Sequence, residues 1–274
     1  PGRRFSAIIK PVEKFYDFYF RLEIPEVTNL KHMRTWAGLL LAMAMLFLSA
    51  CGDAAESSSA DAQDGETGAS ALLQFELPEE GDEIVVINTS MGTLIVMLFP
   101  EIAPKAVENF VTHAKEGYYN GLKFYKIQKD KCLYTGDPKG DGTGGESVFK
   151  DEDGRVQPFE DEYSMDLWHF NGALSMVNDG AEDNNGSRFC FVQSSSVSAD
   201  MLLQMKNIGF PSNVILKYAG VGGAPWLDTK QVVFAQVYEG LEVLDAIAAV
   251  EVDENGVPKE NVIINSMTVE IYQG

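Results

Sequence analysis

The sequence predicts a mainly β domain, either a barrel or a sandwich, which follows a front segment of different character. Three observations support this fold class. Short runs rich in β-branched and aromatic residues recur from about Glu83 onward, helical spacing is found in only two or three places, and strands do not alternate regularly with helices. With 274 residues, 45% of them hydrophobic, the chain is long enough for one folded domain with extensions.

The front segment contains a short apolar run that is typical of a signal peptide. Residues 33–50 begin with Met-Arg and continue as an apolar run, which is shorter than the ~20 residues that a membrane-spanning helix needs. The end of this run, Leu48-Ser49-Ala50-Cys51, resembles the lipobox of bacterial lipoproteins, in which the cysteine thiol receives a diacylglycerol. We therefore expect lipidation at Cys51 and a lipid-anchored, extracytoplasmic location at the cell membrane. The alternative is an uncleaved signal anchor that ends in an incidental cysteine.

Two further segments flank this signal. Residues 1–32 contain no methionine and no clear hydrophobic period, so we interpret them as an upstream or untemplated extension, with a genuine N-terminal extension as the alternative. Residues 51–82 are mostly small, polar and acidic, and such a composition cannot bury enough apolar area to offset its ordering entropy. They are expected to form a flexible acidic linker, with the folded domain at 83–274.

The folded part is predicted to open with a hairpin and a helix. Two β-rich runs flank Ser90-Met91-Gly92, a turn signal, and the following segment has apolar residues at helical spacing between Pro104 and Gly117. Further β-like runs occur at 123–127, 172–178, 188–193, 231–237 and 261–272, and a second helix is predicted over 240–250.

Charge and motif content exclude several classes of function. The formal net charge is −20, and so acidic a surface repels phosphate backbones; nucleic acid is therefore not an expected partner. The glycine-rich run "GDGTGGES" lacks Gly-Lys-Ser/Thr and does not open a helix, so it is not a phosphate-binding loop. No Cys or His pair has zinc-finger spacing. We expect no metal and no cofactor.

Several separate motifs follow one another along the folded part. They are "GTLIVMLFPEIAPKAVENFVTHAKEGYYNGLKFYKI", "GDPKGDGTGGES", "FEDEY", "GALSMVN", "NNGSRFCF" and "PWLDTKQVVFAQVYEGLEVLDAI". In the order and spacing of these motifs, from about Ile84 to Tyr272, the chain resembles the cyclophilins, which are peptidyl-prolyl cis-trans isomerases. The resemblance implies a closed eight-stranded antiparallel β-barrel capped by two helices, with a peptide groove on one outer face. Residues 197–224 are longer than the family's usual connection and resemble the helical insertion of some bacterial lipoprotein cyclophilins.

The resemblance also implies site residues, and most of them differ from the family's pattern. Lys126 stands where cyclophilins have the arginine that contacts the proline nitrogen, and it keeps the charge but not the planar fork. Arg188 is expected on the facing strand, from which it could supply a guanidinium, although loss of most activity is the favoured interpretation. The positions that the resemblance assigns to peptide binding are Lys131, Cys132, Tyr134, Val177, Asn178, Cys190, Trp226, Leu227 and Gln231.

Two of these positions, Cys132 and Cys190, replace side chains that touch the same proline ring in the family. We expect them on opposite walls of the pocket. Because Cys51 is assigned to lipid and an extracytoplasmic compartment permits disulfides, a Cys132–Cys190 disulfide is one expectation. The alternative is two buried free thiols that act as small apolar fillers.

The resulting functional expectation is a monomeric peptidyl-prolyl cis-trans isomerase-like protein. It would assist the folding of exported proteins with reduced activity, and its partners would be extended or proline-containing polypeptide segments. The alternative is a catalytically inactive cyclophilin-fold module that binds peptides on the cell envelope.

Overall fold

A computed structural model describes residues 72–274. The predicted extension 1–32, signal peptide 33–50, lipidation site Cys51 and most of the linker lie outside the described residues. No helix within the described range is both long and apolar enough to cross a bilayer.

The described chain is mainly β, as predicted, with eight strands and four α-helices. The strands are β1 Glu83–Thr89, β2 Gly92–Leu98, β3 Lys126–Gln128, β4 Lys131–Thr135, β5 Ala173–Met176, β6 Phe189–Gln193, β7 Val233–Glu239 and β8 Ile264–Ile271. The helices are α1 Pro104–Lys115, α2 Ala199–Asn207, α3 Ser212–Val221 and α4 Leu241–Ala248.

All eight strands belong to one curled antiparallel sheet with the order β3-β4-β6-β5-β7-β2-β1-β8. The prediction of a closed barrel is wrong: the sheet is open, with β3 and β8 as its edges. Among the described residues, β3 forms a ladder with β4, and no ladder joins it to β8. The chain ahead of β3 instead makes irregular contacts with the β8 side, in which Gly121 N–H donates to the Ile264 carbonyl (2.7 Å) and Phe124 N–H to the Val262 carbonyl (2.9 Å).

The core lies on the concave face of the sheet, beneath α1 and α4. Pro104 is at the start of α1, where its fixed φ suits a helix and its missing N–H costs nothing. The helical spacing predicted for this segment is confirmed, since the apolar side chains of α1 and α4 pack into the core. The buried members are Ala106, Val107, Phe110, Val111 and Ala114 of α1, and Val243, Leu244, Ile247 and Ala248 of α4.

The segment 197–224 is helical, as the resemblance implied. It forms α2 and α3, and the Ser198 hydroxyl caps the start of α2 by accepting a hydrogen bond from Met201 N–H at 3.2 Å. The two helices share a second apolar cluster with the segment ahead of β5. The buried members of this cluster are Trp168, Phe170, Met205, Val214 and Tyr218.

The last part of the predicted linker is packed against the domain. Gln74 is only 3% exposed, and its Nε2 donates to the Trp168 carbonyl at 2.8 Å and to Gln236 Oε1 at 3.0 Å. Its Oε1 accepts from Trp168 N–H at 2.7 Å. Packed structure therefore extends at least from Leu72, ahead of the predicted boundary at Glu83.

Candidate functional site

A groove of about 430 Å³ opens on the outer face of the sheet, beside β3, β4 and β6. The strand register places Lys126 opposite Tyr134, and Tyr134 opposite Cys190. Because side chains alternate along a strand, these residues face outward while their neighbours Ile127 and Leu133 enter the core. Five of the residues assigned to the site from the sequence line the groove: Lys126, Tyr134, Val177, Arg188 and Gln231.

The floor beside the groove is apolar and contains two thiols. Cys132, Val177 and Cys190 are at most 5% exposed and form one buried cluster, against which Tyr134 and Leu227 pack. A hydrogen bond with Cys132, together with burial, raises the pKa of the Cys190 thiol well above its ordinary value. The Cys190 thiol therefore stays protonated, and both buried cysteines pack as small apolar side chains.

The prediction of a Cys132–Cys190 disulfide is wrong, because both thiols are free. The two residues lie on adjacent strands rather than on opposite walls. The register pairs Cys132 with Val192 and Cys190 with Tyr134, so the cysteines are diagonal neighbours. Diagonal pairs have Cβ atoms somewhat less than ~7–8 Å apart, whereas a disulfide needs about 3.8 Å.

One wall of the groove carries a lysine over an aromatic ring. Lys126 Nζ lies 5.8 Å from the centroid of the Tyr134 ring, and the Tyr134 hydroxyl donates to Gln128 Oε1 at 3.2 Å. Burial raises the pKa of Tyr134 and of its neighbour Tyr125, so both phenols are neutral. Among residues 72–274, no carboxylate oxygen lies within ion-pair distance of Lys126. Its ammonium is therefore available to a ligand.

On the other side of the groove, the Arg188 guanidinium is held by an acidic partner. Its Nη1 donates to Asp179 Oδ1 at 2.9 Å and to the Gly142 carbonyl at 2.5 Å, while Nη2 donates to Asp179 Oδ2. The Arg188 side chain is 11% exposed. Burial alone lowers its pKa, but the hydrogen bonds and charge of Asp179 outweigh this effect, and the net shift is upward. Arg188 thus stays charged, with its fork committed to Asp179.

The groove geometry can be compared with known proteins. Residues 84–269 match the family model described as "Cyclophilin type peptidyl-prolyl cis-trans isomerase/CLD". The chain belongs to the cyclophilin family.

Similar sequences and solved structures carry the same family name. A peptidyl-prolyl cis-trans isomerase, so named, of Staphylococcus saprophyticus is 42% identical over 190 residues, which cover 69% of this chain and 93% of the relative. One from Staphylococcus aureus is 42% identical over 192 residues, 70% of this chain and 94% of the relative. A crystal structure of a Cryptosporidium parvum cyclophilin-type peptidyl-prolyl cis-trans isomerase matches with a TM-score of 0.56 and 27% identity. The match covers 70% of this chain and 99% of the Cryptosporidium chain. A second structure of that protein, in the presence of the dipeptide Ala-Pro, has a TM-score of 0.55 and 27% identity, with 69% and 99% covered.

Several residues assigned from the family pattern lie outside the groove lining of this cyclophilin. Lys131 is exposed at the start of β4, and Asn178 is buried with its amide donating to Asp161 Oδ1 (3.3 Å) and the Lys230 carbonyl (3.2 Å). Trp226 and Leu227 belong to a 3-10 turn that packs on a small apolar cluster, from which Leu227 also reaches the thiol floor. None of the four lines the groove, and Leu227 supports its apolar floor from behind.

Sequence reasoning missed the groove residues contributed by loops of this cyclophilin. They are Tyr125, Asp141, Gly142, Asp179, Gly180, Asn255 and Val257. One loop had a readable signal: the Asp137 carboxylate accepts from the N–H groups of Lys139, Asp141 and Gly142, which is the behaviour expected of Asp in a Gly-Asp-Pro turn. Asn255 and Val257 come from the connection between α4 and β8, where the Asp253 carboxylate accepts from both backbone N–H groups. The sequence indicates a turn at this position, but it does not indicate that the turn packs beside the groove.

Proposed function

We propose that this cyclophilin binds proline-containing polypeptide segments in the groove and catalyses prolyl isomerisation at a reduced rate. Lys126 is the observation that supports this most strongly, because its unpaired ammonium lines a groove beside an apolar floor. Rotation about an X-Pro bond breaks no covalent bond and crosses a barrier of ~18–20 kcal/mol set by amide resonance. An apolar seat for the ring and a cation near the twisting amide are the two elements that such a catalyst needs.

The chemistry of Lys126 is the reason to expect a reduced rate. An ammonium is a compact point charge, whereas a guanidinium offers a rigid fork that addresses the proline nitrogen and a neighbouring carbonyl together. Arg188 has such a fork, but Asp179 and the Gly142 carbonyl already occupy it. The groove therefore retains the charge of the family site without its geometry.

An isomerase assay on the full chain tests this proposal. Lys126→Arg should raise kcat/KM by on the order of tenfold, which corresponds to ~1.4 kcal/mol of transition-state stabilisation. Lys126→Ala should abolish most of the turnover. Lys129→Ala is the matched control, since Lys129 is exposed in the turn after β3 and outside the groove lining. A Lys126→Ala variant as active as the wild-type protein would contradict the proposal.

The occupied fork of Arg188 favours one second candidate, a cyclophilin-fold module that binds peptides without turning them over. A comparison of turnover with peptide binding distinguishes this binding module from the isomerase. If Lys126→Arg leaves turnover at background while the wild-type chain still binds Ala-Pro peptides saturably, the binding module is the correct description.

We propose further that the protein is a monomer anchored outside the cytoplasm through lipid on Cys51, where it assists the folding of exported proteins. The lipobox-like motif Leu48-Ser49-Ala50-Cys51 supports this location. Mass spectrometry of the wild-type membrane fraction should show a diacylglycerol on Cys51, and Cys51→Ser should accumulate as unprocessed precursor. An unmodified Cys51 in that fraction would refute the anchor.

A further inference from the structure

The Arg188 side chain joins two loops that line the groove. Its Nη1 donates to the Gly142 carbonyl and to Asp179 Oδ1, and its Nη2 donates to Asp179 Oδ2. Gly142 belongs to the loop that follows β4, and Asp179 belongs to the loop that follows β5. Because all three residues line the groove, these contacts fix the guanidinium at the groove wall.

The aliphatic stem of Arg188 is closely packed as well. Only 11% of the side chain is exposed. Gly145 has a φ of +101°, and a Cβ built on it would lie 3.1 Å from Arg188 Cγ and 2.7 Å from Ser187 Oγ. A glycine at this position lets the loop take that conformation and approach the arginine this closely. The guanidinium is thus held in place before any peptide binds.

A count of the N–H donors shows which edge of the Arg188 guanidinium is still open. A guanidinium has five N–H donors in one plane. Both donors of Nη1 and one donor of Nη2 are used by Asp179 and the Gly142 carbonyl. Among residues 72–274, no acceptor is hydrogen-bonded to the remaining two, which are the Nε–H and the second N–H of Nη2. These two donors lie side by side along one edge of the guanidinium, which we call the side edge.

We infer that the side edge of Arg188 binds a backbone carbonyl of the bound peptide, and that Asp179 is a positioning residue that holds the guanidinium for this contact. For the ligand, this inference rests on the proposed function. A neutral carbonyl suits the side edge better than a carboxylate does, because the charge of Asp179 already balances that of Arg188 and repels a second anion. The carbonyls of an extended proline-containing segment are free to accept, since such a segment has no internal hydrogen bonds.

The strand register indicates how far this contact lies from Lys126. Lys126 pairs with Tyr134, and Tyr134 pairs with Cys190, so Cys190 lies two strands away from Lys126. Arg188 comes two residues before Cys190. With strands ~4.8 Å apart and a rise of ~3.3 Å per residue, the Cα atoms of Lys126 and Arg188 are roughly 12 Å apart. A peptide with its proline beside Lys126 must therefore extend about three residues further to reach the side edge.

Peptide length separates contact with Arg188 from contact with the rest of the groove. The probes are a blocked Ala-Pro dipeptide and a blocked octapeptide with a central Ala-Pro bond and uncharged flanking residues. The full wild-type chain should bind the octapeptide more tightly than the dipeptide. In Arg188→Met and in Asp179→Ala, the ratio of the two affinities should fall by on the order of tenfold, the worth of one hydrogen bond to a charged group. Arg155→Met is the matched control and should keep the wild-type ratio, since Arg155 is 73% exposed and outside the groove lining.

The Nε–H resonance of Arg188 in the wild-type chain provides a second readout, which does not depend on the folding of Arg188→Met. The sequence has six arginines, and Arg188→Lys identifies the resonance by its loss. The octapeptide should shift this resonance saturably and slow its exchange with water, whereas the dipeptide should leave it in place. The Nε–H resonance of Arg155 should respond to neither peptide.

Three results would overturn the inference and leave the proposed function intact. The first is an affinity ratio that Arg188→Met or Asp179→Ala leaves unchanged, as a merely structural role of the pair would. The second is an Arg188 Nε–H resonance that does not respond to saturating octapeptide. The third is an Arg188-dependent preference for Glu over Gln in the octapeptide, which would assign a carboxylate to the side edge. Binding of neither peptide would refute the proposed function, and this inference with it.

Discussion

At the scale of single residues, the pair Asp179–Arg188 differs from the surface ion pairs of the same chain. The Arg188 side chain is 11% exposed and bound through both terminal nitrogens, whereas Arg155 and Asp153 are 73% and 68% exposed and share one contact. Asp179→Ala should lower the free energy of unfolding by about 1 kcal/mol, discounted because Asp179 itself is half exposed. Urea unfolding measures this, with Asp153→Ala as the control that should leave the midpoint unchanged. Equal effects of the two substitutions would show that the groove pair is no better than a surface pair.

The buried imidazole of His113 should make the stability of the domain depend on pH. It is buried in α1, its Nε2 bonds to the Glu146 carbonyl at 2.9 Å, and Nδ1 has no partner among the described residues. Burial lowers the pKa of His113 below the ordinary 6.5, so the unfolded chain takes up a proton more readily than the folded one. The contribution is fully present above pH ~6.5 and is lost as pH falls through the folded pKa.

The measurement is the urea midpoint at pH 7.5 and at pH 5. The wild-type midpoint should fall, and His113→Gln, which retains a donor but cannot titrate, should show a smaller fall. A drop of the same size in His113→Gln would assign the pH dependence to other groups.

At the scale of elements, the insertion α2–α3 is a structural part of the domain. Met205 is 1% exposed within the cluster that also buries Trp168, whereas Leu216 on α3 is 72% exposed. Met205→Ala should therefore cost ~2–5 kcal/mol of stability through lost burial and a residual cavity. Leu216→Ala should change stability by less than about 0.5 kcal/mol. Similar costs for both substitutions in urea unfolding would mean that the insertion does not pack as described.

The segment ahead of β1 is a second element with a stabilising role. A chain that begins at Glu83 loses Gln74 and leaves the buried Trp168 N–H without its described partner, whereas the Trp168 carbonyl still accepts from Phe170 N–H at 2.8 Å. Each unsatisfied buried group costs roughly 1–3 kcal/mol. We expect this chain to have a lower urea midpoint than one that begins at Leu72. Gln74→Leu in the longer chain should reproduce most of the loss, and equal stability of the two chains would show that Gln74 contributes nothing.

Elements were predictable where local pattern determines them. The apolar spacing of 104–115 identified α1, and the turn at Ser90-Met91-Gly92 identified the β1–β2 hairpin. Gln74 illustrates the limit: it follows a long run of small and acidic residues, and its burial depends on backbone groups of Trp168 that are distant in sequence. The open edge of the sheet was unpredictable for the same reason. The hydrogen bonds of residues 121–124 join their backbone to residues distant in sequence, and the side chains of 121–124 give no sign of them.

At the scale of the whole molecule, an acidic chain presents a groove with two cations. The formal net charge is −20, yet two positively charged side chains, Lys126 and Arg188, line the same groove. The resemblance to the cyclophilins identified both positions in the sequence. It could not show that Asp179 holds Arg188, because Asp179 lies just after the motif "GALSMVN" and outside all the matching motifs. Likewise, the relation of Cys132 to Cys190 depended on strand order, and only the register showed them to be diagonal neighbours.

The central claim is that the groove beside Lys126 receives proline-containing peptide. The most direct measurement is a titration of the ¹⁵N-labelled full chain with an Ala-Pro tetrapeptide, followed through backbone amide shifts. Binding in the groove should produce saturable shifts concentrated at Lys126, Tyr134, Val177 and Gln231, and Lys126→Ala should bind the peptide more weakly. Shifts confined to the exposed face of α2 and α3, or no saturable shift at millimolar peptide, would contradict it.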